Sequence, residues 1–218
     1  MDKKELYLKF EQLKVVPVIK IDNADDTIPL CEALIEGGLP CAEITFRTLC
    51  APAAIRKASN IKEILVGAGT VLTVDTVKQA VDCGAIFIVA PGFNPKVVEY
   101  CIKNQIPVVP GIATPTEIEM ALDMGVDVVK FFPSEAMGGL KILKAISAPY
   151  GKVKYVPTGG INEKNLADYL RFEKTLACGG TWIANSELIN AKAFDKIKET
   201  VVNAVKVVET VKKETQKK

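Results

Sequence analysis

The feature that most constrains this chain is a rhythm. Eight short apolar runs rich in β-branched residues alternate with stretches of helical spacing. The runs are VVPVIKI (15–21), CAEITF (41–46), EILVGAGT (63–70), AIFIVAP (85–91), IPVVPGI (106–112), VDVVKFF (126–132), VKYVPTGG (153–160) and TLACGGT (175–181). The spacers, TVDTVKQAVDCG and TPTEIEMALDMG among them, carry a helix-starting residue (Asn23, Thr73, Asn94, Thr114) or a closing glycine (Gly84, Gly125). Strand alternating with helix predicts parallel strands joined by crossover helices. Eight such units in about 200 residues predict an α/β fold, the (β/α)8 TIM barrel. An open doubly wound sheet is the second option, although it would use only about five to seven strands.

The 218 residues read as a single domain, 1–218. Residues 2–14 are expected to add an N-terminal helix, and about 192–214 a final one. The chain ends in KKETQKK; this basic tail, from about 210, is expected to be a frayed, solvated end rather than a binding patch.

Charge and composition narrow the function. Lys and Arg number 28 and Asp and Glu 26, a net +2. So even a balance argues against nucleic acid or an anionic membrane as the main partner and leaves room for a local anion site. The N-terminus lacks the apolar core of a signal peptide, and no apolar run is long enough to cross a membrane. There is no histidine, so acid–base work falls to carboxylates, lysine, tyrosine or water. None of the six cysteines forms a C-x-x-C pair, so they are expected to be reduced thiols of a cytoplasmic protein, with no metal and no cofactor.

The unusual residues collect at strand ends, where barrels of this kind hold their sites. Lys130 interrupts the apolar VDVVKFF run. Alternation puts Val128, Lys130 and Phe132 on one face of that strand, and Glu43, Thr45 and Arg47 on one face of the second. One barrel mouth is therefore expected to hold Glu43, Arg47 and Lys130. The bland reading is a buried salt bridge, a weak source of stability because desolvation cancels much of the attraction. The functional reading is a Schiff-base amine: a lysine taken out of water beside an arginine loses its charge more readily, and a neutral amine attacks carbonyls. GAGT (67–70) ends the third strand with Thr70, a weak motif alone. PTGGIN (157–162) and CGGTWIA (178–184) place paired glycines after strands seven and eight, where barrels commonly bind phosphate through backbone N–H groups. Arg47 would add a fixed charge to that anion. MGG (137–139) reads as the opening of the next helix.

These residues, in this order, resemble a known family. EITFRT (43–48), VGAGTVL (66–72), APGFNP (90–95), PGIATPTE (110–117), VKFFPSEAMGG (129–139) and PTGGIN (157–162) are similar to the motifs of the 2-keto-3-deoxy-6-phosphogluconate (KDPG) and 4-hydroxy-2-oxoglutarate (KHG) aldolases. The likeness runs from about Pro17 to about Ala184. It implies a metal-free class I pyruvate aldolase on a (β/α)8 barrel, usually a homotrimer, acting on a small 2-keto sugar acid. It implies Lys130 as the Schiff-base lysine and Glu43 as the proton carrier. Arg47 would bind phosphate or the distal carboxylate, and Thr70 the pyruvate carboxylate end. Gly159, Gly160, Gly180 and Thr181 would form the phosphate pocket. Thr181 stands where many members carry serine; its methyl could tighten that pocket. Phe132 would pack over the substrate, and Pro91 and Thr158, from APGFNP and PTGGIN, would line it.

The alternatives are the galactonate-epimer aldolase, another phosphate-binding barrel enzyme such as an epimerase, and a non-catalytic phosphosugar-binding protein. A metal-dependent aldolase finds no histidine ligands.

Overall fold

In the computed structural model, which describes residues 1–215, the eight runs become nine short strands. These are β1 (Val15–Ile19), β2 (Cys41–Thr45), β3 (Leu65–Gly69), β4 (Phe87–Val89), β5 (Val108–Val109), β6 (Gly111–Ile112), β7 (Val128–Phe131), β8 (Lys154–Pro157) and β9 (Cys178–Gly180). The fifth run counts twice because it breaks at Pro110, a residue with no N–H to donate. β5 pairs with β4, and β6 turns to pair with β7. The Pro110 carbonyl still accepts the Lys130 N–H at 2.8 Å. One sheet runs β5-β4-β3-β2-β1-β9 and the other β6-β7-β8. Parallel bridges Tyr155–Thr175 and Thr158–Gly179 join β8 to β9. The two sheets thus close on each other as a (β/α)8 barrel.

The helices are α1 (Lys3–Leu13), α2 (Thr27–Gly37), α3 (Ala51–Ala58), α4 (Val74–Asp82), α5 (Pro95–Lys103), α6 (Pro115–Asp123), α7 (Gly139–Ser147), α8 (Leu166–Leu170), α9 (Ser186–Asn190) and α10 (Phe194–Thr215). Local chemistry starts and stops them. Thr73 Oγ1 accepts the Thr76 N–H, and Asn94 Oδ1 accepts the Lys96 N–H. The Glu117 carboxylate reaches back to the N–H groups of Ala113 and Thr114 at 2.7 and 2.9 Å. Asn23 caps only a single 3-10 turn, and α2 begins beyond it at Thr27. Gly84 and Gly125 follow α4 and α6 with φ of +100° and +71°, values that a side chain would oppose.

Two apolar layers hold the barrel. Ile19, Ile44, Val66, Ile88 and Phe131 face the helices. Val16, Cys41, Phe87, Val89, Val109, Val128 and Val156 fill the lower interior, and Leu6 and Phe10 of α1 plug it from below. The Phe10 and Phe87 rings meet edge to face, centroids 5.3 Å apart. The expected fraying from about residue 210 is not seen up to Thr215. Val211 is buried, Lys212 Nζ donates to the Gln12 carbonyl at 2.6 Å, and Arg171 pairs with Glu214 at 3.0 Å. The last three residues of the tail, 216–218, lie outside the described residues. Among those described, no helix is long and apolar enough to cross a membrane.

Candidate active site

The inward faces of β2 and β7 begin with apolar residues, Cys41 and Val128, and change character one step higher. There Lys130 Nζ donates to Glu43 Oε1 at 3.2 Å. The two residues are 5 % and 3 % exposed, so the pair sits in a region that holds little water. Gly69 makes room for it: a Cβ at that position would lie 2.3 Å from Glu43 Oε1. The Phe132 ring stands 5.4 Å from the Lys130 ammonium and covers it from the mouth side of β7.

Arg47 does not join this pair. Its Nε donates to Thr45 Oγ1 at 3.1 Å, and the Thr45 hydroxyl donates to the Ile19 carbonyl at 2.7 Å. Of the two neighbours expected for Lys130, the Glu43 carboxylate is in place and the arginine is not. Arg47 lies past the end of β2 and is exposed, where a guanidinium keeps its hydration.

Arg47 instead borders a hollow of about 260 Å³ over the ends of β1, β2 and β9, which Val18, Lys20, Thr181, Trp182 and Ser186 also line. Lys20 and Trp182 were not among the residues expected at the site. Alternation could have found Lys20, since Val16, Val18 and Lys20 follow one face of β1. The CGGTWIA stretch held Trp182, but its role depends on the closure of β9 onto β1.

The other predicted residues occupy the surrounding strand ends. Thr70, partly buried after β3, takes φ +56°, rare for a β-branched residue. Pro91 follows β4, where a Cβ on Gly111 would lie 2.2 Å from the Pro91 carbonyl oxygen. Thr158 is buried after β8, and Gly179 leaves space for its Oγ1. The Thr158 and Gly159 carbonyls accept the Ser134 and Glu135 N–H groups at 2.8 and 3.0 Å, lacing the loop after β8 to the turn after β7. Gly159 and Gly160 have φ of +95° and +81°, and a Cβ on Gly159 would press on the Phe132 ring. Gly180 lies against the Trp182 ring, and Thr181 is exposed at the rim of the hollow.

The predicted residues thus fall into three groups. Glu43, Lys130 and Phe132 share the buried centre; Arg47, Gly180 and Thr181 surround the hollow; Thr158, Gly159 and Gly160 connect to Phe132 and its following turn. Thr70 and Pro91 stand at their own strand ends with no hydrogen bond to Lys130 among the described residues. No group of three or more Cys, Asp or Glu side chains among the described residues is placed to hold a metal ion. A buried amine beside one carboxylate can form and hydrolyse an imine, with a proton carrier in contact.

Comparison with known proteins places the chain in a family. The sequence profile described as KDPG and KHG aldolase matches residues 7–200. The chain belongs to that aldolase family. It is 46 % identical to the 2-dehydro-3-deoxy-phosphogluconate aldolase of Treponema pallidum, over 88 % of this chain and 92 % of that protein. The enzyme of that name from Haemophilus influenzae is 45 % identical, over 92 % of this chain and 95 % of its own. A crystal structure of KDPG aldolase from Legionella pneumophila superposes with a TM-score of 0.88, at 38 % identity over 91 % of this chain and 97 % of that one. That enzyme holds pyruvate as a covalent carbinolamine intermediate. Members of this family are lyases, and the chain is an enzyme of that class.

Proposed function

We propose that the chain cleaves 2-keto-3-deoxy-6-phosphogluconate to pyruvate and glyceraldehyde 3-phosphate, and 4-hydroxy-2-oxoglutarate to pyruvate and glyoxylate, through a Schiff base on Lys130. The observation that carries this reading is the buried 3.2 Å contact between Lys130 Nζ and Glu43 Oε1. Burying such a pair brings little stability, so its place at the strand ends is better accounted for by chemistry. Family membership does not favour the epimerase or binding-protein alternatives.

Glu43 takes a proton from the ammonium, and the Lys130 amine attacks the C2 ketone. Glu43 returns the proton to the departing hydroxyl, water leaves, and an iminium forms. The carboxylate, directly or through water, then takes the C4 hydroxyl proton. The C3–C4 bond breaks, its electrons enter the iminium, and the aldehyde departs. The enamine is protonated at C3 and hydrolysed to pyruvate, freeing Lys130. Thr70, Pro91, Thr158 and Phe132 shape the pyruvate end. Arg47, Thr181 and the loop glycines 159, 160 and 180 receive the distal anion.

As the family resemblance implies, we propose a homotrimer. Leu49, wholly exposed, and the exposed Leu72 provide apolar surface just past the ends of β2 and β3. Six free cysteines, five of them buried, support a cytoplasmic setting.

The test is borohydride reduction in the presence of pyruvate, followed by peptide mass spectrometry. A pyruvate-sized adduct on Lys130 is expected. Bound pyruvate with no adduct would overturn the Schiff-base mechanism.

A further inference from the structure

The hollow over β1, β2 and β9 contains more than the family motifs require. Lys20, one residue past the end of β1, continues the face of Val18, which stands opposite Glu43 in the β1–β2 register. Two residues of strand rise place Lys20 roughly 7 Å above the Glu43 level. It lines the same hollow as Arg47, Thr181 and Ser186. Its ammonium donates to Asp22 Oδ1 at 2.6 Å, and Asn190 holds the other Asp22 oxygen at 3.1 Å. An ammonium has three hydrogens, so two remain for a ligand.

We infer that Lys20 is a second cation for the distal group of the substrate, and that it makes this site select the phosphorylated six-carbon substrate over 4-hydroxy-2-oxoglutarate. The inference rests on the aldolase reading. A phosphate ester carries about −1.5 to −2 charge and three strong acceptor oxygens. Arg47, Lys20 and the Thr181 hydroxyl suit that count of charge and acceptors. The short substrate ends in a carboxylate with one charge and two oxygens, attached directly to the carbon whose bond breaks. The phosphate lies further out by the length of C5, C6 and the ester oxygen. A cation one layer above the Glu43–Lys130 pair meets the longer molecule's end and stands beyond the shorter one's.

The experiment compares cleavage of both substrates by the wild-type enzyme, Lys20→Gln and Lys20→Arg, with pyruvate–borohydride trapping on each. Lys20→Gln is expected to lower kcat/KM for the phosphorylated substrate about 10- to 100-fold, chiefly through KM, as loss of a hydrogen bond to a charged group does. The short substrate should change by less than about 2-fold, and Lys20→Arg should keep most of the selectivity. Trapping on Lys130 should be unchanged throughout. Equal loss for both substrates, or no loss for either, would overturn the role of Lys20. Failure of the wild-type enzyme to trap pyruvate would overturn the aldolase reading and this inference together.

Discussion

Lys130 and Glu43 are each other's only ionic neighbours within 4 Å among the described residues, so each stabilises the other and neither can be changed alone without cost. Lys130→Met should abolish trapping and cleavage. It also strands a buried carboxylate, at a cost of about 3–5 kcal/mol. Adding Glu43→Gln removes that charge, so the double variant should recover most of the lost stability in urea melts while staying inactive. A double variant no more stable than Lys130→Met would mean the two groups are not coupled. Gly69→Ala tests the fit of the carboxylate. Its backbone tolerates alanine, but the new methyl takes the space of Glu43 Oε1. Displacing a catalytic group by about 1 Å costs on the order of 100-fold, and kcat should fall by that order with trapping slowed in parallel. At this scale Lys130, Glu43 and Phe132 were legible because a polar residue inside an apolar strand has few explanations. The separation of Arg47 from that pair was not, because alternation states which residues share a face and not how far up the strand each reaches.

At the scale of elements, α1 and the strand ends divide the work. The helix closes the bottom of the barrel with Leu6 and Phe10, far along the strands from the Lys130 layer. Phe10→Ala should therefore cost about 3–5 kcal/mol of stability while kcat/KM, measured below the melting range, stays close to wild type. A large loss of activity with little loss of stability would contradict that division. The helices themselves could be read from Thr73, Asn94, Thr114 and the glycines 84 and 125, since caps act within one turn of chain. The break at Pro110 could not: whether a proline ends a strand or is accommodated depends on whether a neighbouring carbonyl needs an N–H at that position. The continuation of α10 through Thr215 likewise depends on Gln12 and Arg171, residues far away in sequence.

For the whole molecule, burial sets an alkaline limit. Burial, with Glu32 nearby, pushes the Cys31 thiol up to about 12, and burial alone does the same for Cys101. Cys41 and Cys178 are shifted in the same direction, again chiefly by burial. Thiols raised in the folded state keep their protons where the unfolded chain loses them. Their contribution is fully present below about pH 9 and is lost as pH rises from there toward 12. The urea midpoint should fall steadily between pH 9 and 11, and a flat profile would contradict the burial of these groups. Replacing Cys31 and Cys101 with alanine should flatten the slope.

The sequence alone determined the barrel, the helices and the strand ends that carry the lysine, the glutamate and the paired glycines. Each follows from a period or a motif that acts over a few residues. Only the tertiary structure decided that Arg47 stands apart from the Lys130–Glu43 pair, that it shares a hollow with Lys20, and that Trp182 forms its wall. Those pairings join strands distant in sequence, and their positions depend on closure of β8 and β9 onto β1, which no local pattern encodes.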